Sequence, residues 1–253
     1  MSGSPRLASS RLGVTTREAA FLLILAAGAW VAAIKLSRGI AGMPGTMGLS
    51  LASFVGVWTL MMSAMMLPSV TPTASLYART VVASRPARIA GLVAGYLGVW
   101  AVAGLPAYGL ARMIDWLADA HPTAVRVLAV AVFASCGVYQ LSSLKDKCLA
   151  QCRSPIALLL RYGSYRGRFR DVRAGAHHGG YCLGCCWSLM AVLIVLGTMN
   201  VLAMAGLAGV VLAERVTDHG RLIGQLAGFA AIALAVATIW LPWLAPGCVP
   251  RTS

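Results

Sequence analysis

The chain has 253 residues, 59% of them hydrophobic and only 11% charged, with a mean hydropathy of +0.78. Soluble proteins carry about 25% charged residues, so this composition excludes an ordinary soluble domain and points to an integral membrane protein. The net charge of +14 would suit a nucleic-acid binder, but the basic residues flank apolar runs, so they read as topology determinants with no nucleic acid as partner.

A helix needs about 20 apolar residues to cross the hydrocarbon core. The amino-terminal tail, residues 1–18, is too long and polar for a cleavable signal peptide, and the run at 19–36 reads as a first anchored span. Further spans are expected near 48–68, 89–111, 124–144, 183–213 and 222–244. The expected fold is all-α: a polytopic transmembrane helix bundle of about six spans, forming one domain over 19–244 with a short tail at 245–253. The fifth stretch is long for one crossing at about 1.5 Å per residue. A break between Gly197 and Asn200 would make it a hairpin and give seven spans with two short arms; a single span is the preferred reading.

The 145–181 connection carries Lys145, Lys147, Arg153, Arg161, Arg166, Arg168, Arg170 and Arg173, which marks it as cytoplasmic. The amino tail (Arg6, Arg11, Arg17) and the connection with Arg79, Arg85 and Arg88 fall on the same side, and the 112–123 connection, with Asp115 and Asp119, on the other. Both termini are then expected in the cytoplasm, in a multi-pass protein of the bacterial inner membrane. Within the long connection, "SPIALLLRYGSYRGRFRDVRAGAHHGG" reads as an amphipathic surface helix followed by a glycine-rich turn. The seven acidic residues lie outside the long apolar runs, which argues against an intramembrane proton relay. Without an internal repeat, an inverted-repeat transporter has no support either.

Three constellations carry chemistry. In "WTLMMSAMMLPSVTP", Met61/Met65 and Met62/Met66 are spaced i, i+4, so four thioethers share one broad helix face, and Pro68 and Pro72 are expected to end the helix. In "LKDKCLAQCRSP", Cys148 and Cys152 are also i, i+4, and Lys145, Lys147 and Arg153 surround them with charge that favours thiolates. In "HHGGYCLGCCWSLM", His177 and His178 precede Cys182, Cys185 and Cys186. The C-x-x-C spacing lets two sulfurs converge on one metal, and a helix start favours thiolate. Both cysteine groups fall on the cytoplasmic side, where thiols stay reduced, so they read as a thiolate site or a redox relay rather than a disulfide framework. Methionine and cysteine also fill helix interfaces, the expected role of Cys136. Asn200 reads as an interhelical hydrogen-bonding residue. Met190, Met199 and Met204 could extend a methionine track, and Cys248, His121 and His219 carry no spacing signal.

The segments "WTLMMSAMMLPS", "YQLSSLKDKCLAQCRSP" and "HHGGYCLGCCWSLMAVLIVLGTMNVLAM", in that order, resemble the bacterial family of predicted metal-binding integral membrane proteins (domain of unknown function 2182), over about residues 50–240. The resemblance implies metal binding and brings no enzymatic activity with it; His178 fits the motif better than His177. The expected metal site comprises Cys148, Cys152, His178, Cys182, Cys185, Cys186, Met62 and Met66, with all four residues of the two cysteine pairs converging and Lys145 offsetting thiolate charge. Soft thiolates and thioethers together select Cu(I), with zinc as the next candidate. The expected function is binding, delivery or transport of that ion, with the bilayer, the metal and a metal chaperone or membrane subunit as partners. The competing readings are a membrane thiol–disulfide oxidoreductase working between Cys148/Cys152 and Cys182/Cys185, and an assembly subunit with a structural metal.

Overall fold

The computed structural model describes residues 16–40, 45–80, 85–154, 162–163, 165–241 and 244. Among the described residues the helices are α1 (Thr16–Ile40), α2 (Leu51–Thr80), α3 (Arg85–Ala120), α4 (Pro122–Gln140), α5 (Ser143–Arg153), α6 (Arg170–Val195), α7 (Val201–Val216) and α8 (Gly220–Trp240). Six of them, α1, α2, α3, α4, α6 and α8, are long and apolar enough to cross a membrane. The protein is thus an all-α, multi-span helical membrane protein. Cys248, most of the basic tail and the core of the expected surface helix, 155–161, lie outside the described residues.

Two polar clusters fix the directions of the helices. The turn before α2 is pinned to the end of α3, where Asp115 accepts hydrogen bonds from the Thr46 backbone N–H at 3.0 Å and its hydroxyl at 2.6 Å. At the other end of the bundle, Arg88 Nε donates to Asp171 Oδ1 at 2.9 Å, and the Tyr77 hydroxyl bonds to both residues. The end of α2 therefore meets the starts of α3 and α6, and α3 and α6 run parallel. They lie close because glycines face each other. A Cβ at Gly175 would strike the Leu92 carbonyl, one at Gly95 the Val172 carbonyl, and one at Gly179 would lie 3.1 Å from the Tyr96 carbonyl. Gly91/Gly95 and Gly175/Gly179 are each four apart, the small-xxx-small spacing that lets membrane helices approach.

Several expectations change here. Pro68 and Pro72 do not end α2; both sit inside it. The hydroxyls of Ser69 and Thr71 donate to the carbonyls of Met66 (2.8 Å) and Leu67 (2.9 Å), and the helix continues through both prolines, as packed membrane helices allow. The expected glycine-rich turn around 174–180 is helical, because α6 begins at Arg170. The 183–213 stretch is two helices. α6 stops at Val195, Gly197 takes φ +96°, and Asn200 caps α7 by accepting from the Ala203 N–H at 3.1 Å. Asn200 is thus a helix cap rather than interhelical glue.

α7 folds back along α6, so that Arg215 near its end returns to Cys182. Its 16 residues make it about 24 Å long, short of a 30 Å core. α8 then starts beside α5, with the Cβ position of Gly220 2.6 Å from Arg153 Nη1 and that of Gly224 2.8 Å from Lys145 Nζ. It runs antiparallel to α4, where Gly137 meets Gly228 and Ile232. Trp240 consequently comes out at the end of the bundle opposite α5. Residues 1–15 and 245–253, on which the expectation that both termini are cytoplasmic falls, lie outside the described residues.

Candidate metal centre

The cysteines gather where α5, α6 and α7 meet, level with the end of α4 and the start of α8. Helix α5 is amphipathic, capped by Ser142, whose hydroxyl accepts from the Lys145 N–H at 3.3 Å. It buries Lys145, Leu149 and Cys152 and leaves Cys148 half-buried. On α6, Cys182, Cys185 and Cys186 are buried at 0–1% exposure. Cys152 and Cys185 face each other across the α5–α6 interface with sulfurs 4.0 Å apart. Two sulfurs bound to one metal by bonds of about 2.3 Å at a trigonal angle would be about 4.0 Å apart. Cys148 lies one turn along α5, its sulfur 3.0 Å from the Cβ position of Gly184, so a side chain there would make that sulfur give way by a few tenths of an ångström. The thiols of Cys185 and Cys186 donate to the Cys182 carbonyl at 3.1 and 2.9 Å.

The residue that sequence reasoning missed is Arg215. Its Nη2 donates to the sulfurs of Cys182 (2.7 Å) and Cys185 (3.2 Å), and its Nη1 to the Ser69 hydroxyl (3.0 Å). Cys182 also contacts the Tyr96 hydroxyl at 2.9 Å. The helix-start argument for thiolate fails for these cysteines, since Cys182 lies well inside α6; a side-chain cation faces them instead. The signal for it was the charged pair Glu214-Arg215 closing an apolar run.

Two of the three basic residues expected to serve Cys148 and Cys152, Lys145 and Arg153, are occupied elsewhere. Lys145 Nζ donates to Glu214 Oε1 at 2.6 Å, both side chains being 1% exposed. Arg153 donates to the Thr217 carbonyl at 2.6 Å. Burial and the neighbouring Cys185 push the Cys148 thiol up from the ordinary cysteine value. The Cys152 thiol is pushed well up by its hydrogen bond with Cys185 and then by burial. The expectation of basic residues lowering this pair is corrected accordingly.

His178 is 2% exposed, lies against the Tyr96 ring at 5.8 Å, and has no hydrogen-bond partner at either ring nitrogen among the described residues. His177 sits apart, among the rings of Tyr162, Tyr165 and Tyr181. Met61, Met62, Met65 and Met66 are buried at 0–2% exposure. The polar link between their helix and the cysteines runs through Ser69 and Arg215. Among the described residues no three His, Cys, Asp or Glu side chains form a ready cage for a metal ion; the approach at 4.0 Å joins one sulfur from α5 with one from α6.

No curated protein and no solved structure matches the chain. A family model described as PpoB2, copper chaperone, matches residues 55–238, a stretch that holds both cysteine groups and both methionine pairs, and the chain belongs to that family of copper chaperones.

Proposed function

We propose that this protein holds Cu(I) as cargo between Cys152 and Cys185, at the cytoplasmic face of the inner membrane, and hands it to a partner protein. The observation that carries the reading is the 4.0 Å approach of these two sulfurs. Sulfur donors are soft and suit Cu(I). A pair from two helices suits an ion that needs few ligands better than it suits zinc, which takes four in a structural site. Cys182, Cys148, Cys186 and His178 lie within a turn or two of the pair along α5 and α6. They are the further donors an ion would meet on its way in or out, and the methionines of α2 would offer softer, weaker stations. Such a graded set serves delivery, because cargo held by few ligands can pass to a partner by exchange of one sulfur at a time. A thiol–disulfide relay could use the same pair, but copper chaperone family membership favours copper.

The test is a Cu(I) titration of the reduced, detergent-purified chain against a chromophoric Cu(I) chelator. Wild type is expected to bind tightly, and Cys152→Ser and Cys185→Ser each to lose that binding while Cys136→Ser keeps it. Equal affinity in all four proteins would overturn the assignment.

A further inference from the structure

Arg215 is a cation without a carboxylate. Its neighbour Glu214 is engaged by Lys145 at 2.6 Å, and among the described residues no ion pair joins Arg215 to an acid. Two of its nitrogens are spent on Ser69, Cys182 and Cys185, and its Nε is buried with no acceptor. A buried charge left unpaired is strongly destabilising, so this guanidinium is stabilised when the sulfurs beside it acquire negative charge on binding an ion. Arginine remains protonated at any pH the cell meets, so the positive charge is permanent.

We propose that Arg215 is a specificity-determining residue that makes the Cys152/Cys185 site favour a monovalent over a divalent ion. The inference rests on the copper-site reading above. When Cu(I) enters, two S–H bonds break, two Cu–S bonds form and two protons leave to solvent, with no change of oxidation state. The product is a bis-thiolate complex of charge −1. Arg215, already donating to Cys185, brings the buried cluster to zero. A divalent ion on the same two thiolates gives a neutral complex and leaves the guanidinium uncompensated. Lys145 and Glu214 pair with each other at 2.6 Å and add no net charge. The position of Arg215 serves the purpose: it comes back to the cysteines because α7 reverses at Gly197, and Ser69 holds the other arm of its fork.

The experiment measures Cu(I) and Zn(II) affinities of the reduced, detergent-purified full chain, each by chelator competition, for wild type, Arg215→Gln, Arg215→Lys and Ser69→Asp. The last variant sets a carboxylate beside the guanidinium and neutralises it without removing it, so it carries the test if Arg215→Gln does not fold. Removing or neutralising a buried countercharge is expected to lower the Cu(I)/Zn(II) affinity ratio by about 100-fold. Arg215→Lys, which keeps the charge, retains most of the wild-type preference. A ratio unchanged within about threefold, or equal losses for both metals, would overturn the charge-matching role while leaving the copper site standing. Failure of wild type to bind Cu(I) at all would overturn the site reading and this inference with it.

Discussion

The buried pair Lys145–Glu214 gives a sharp test of how α5 is held. Its atoms are 2.6 Å apart and both side chains are 1% exposed, so neither charge has water to fall back on. Breaking such a pair from one side strands the other charge, at a cost of about 3–5 kcal/mol, whereas replacing both partners by apolar residues of similar volume is neutral or better. Lys145→Met and Glu214→Leu should therefore each lower the melting temperature by roughly 6–20 °C, taking about 2–4 °C per kcal/mol for a chain of this size. The double variant should recover most of the loss. The assay is thermal unfolding in detergent, followed by tryptophan fluorescence. Because neither residue is a proposed ligand, the double variant should also bind Cu(I) as wild type does. Single variants within about 1 kcal/mol of wild type, or a double variant as unstable as the two losses combined, would refute the reasoning.

Met62→Leu/Met66→Leu should keep stability to within about 1.5 kcal/mol, since volumes match, yet weaken Cu(I) binding; unchanged affinity would return these buried methionines to packing alone. Cys148, whose thiol is pushed up by burial, should stay protonated through the ordinary thiol range. Its alkylation by iodoacetamide, followed by peptide mass spectrometry, should therefore be slower at pH 8 than that of free cysteine and accelerate as pH rises further. Faster reaction than free cysteine would reverse that assignment. Asn200→Ala should cost about 1 kcal/mol in thermal unfolding through loss of the α7 cap; no change would mean that the cap contributes nothing to the hairpin.

Much of the bundle was legible because lipid imposes one strong rule, that a spanning segment be long, apolar and helical. The spans near 19–36, 89–111 and 222–244 each fall within a described helix or overlap it closely. What failed did so where the backbone had local remedies that composition does not reveal. Pro68 and Pro72 look like helix stops, but α2 runs through both of them. Gly175 and Gly179 look like a flexible turn, but they are the small surface on which α6 meets α3. Cys148, Cys152, Cys182 and Cys185 were recognisable from spacing because i, i+3 and i, i+4 neighbours share a helix face. Which of them pair across helices was not, since that depends on how α5 lies on α6. Nor could spacing say that Lys145 would turn away from the cysteines to a carboxylate 69 residues later in the chain.

The α6–α7 hairpin ties these points together. A single straight helix over 183–213 would carry Arg215 to the far end of the bundle from Cys182, more than 40 Å away at about 1.5 Å per residue. The turn at Gly197 and the cap at Asn200 fold that distance to a 2.7 Å contact. They also bring Glu214 to Lys145, which locks α5, and so Cys152, against the same core. The segment whose length looked awkward for a membrane span is thus the one that assembles the site. Its cysteines come from the outgoing arm, and the cation that contacts them comes from the returning one. The ion pair fixing α5 is made one residue before that charge. A chain that crossed once would have the same cysteines at the same spacing, without the cation that the hairpin sets beside them.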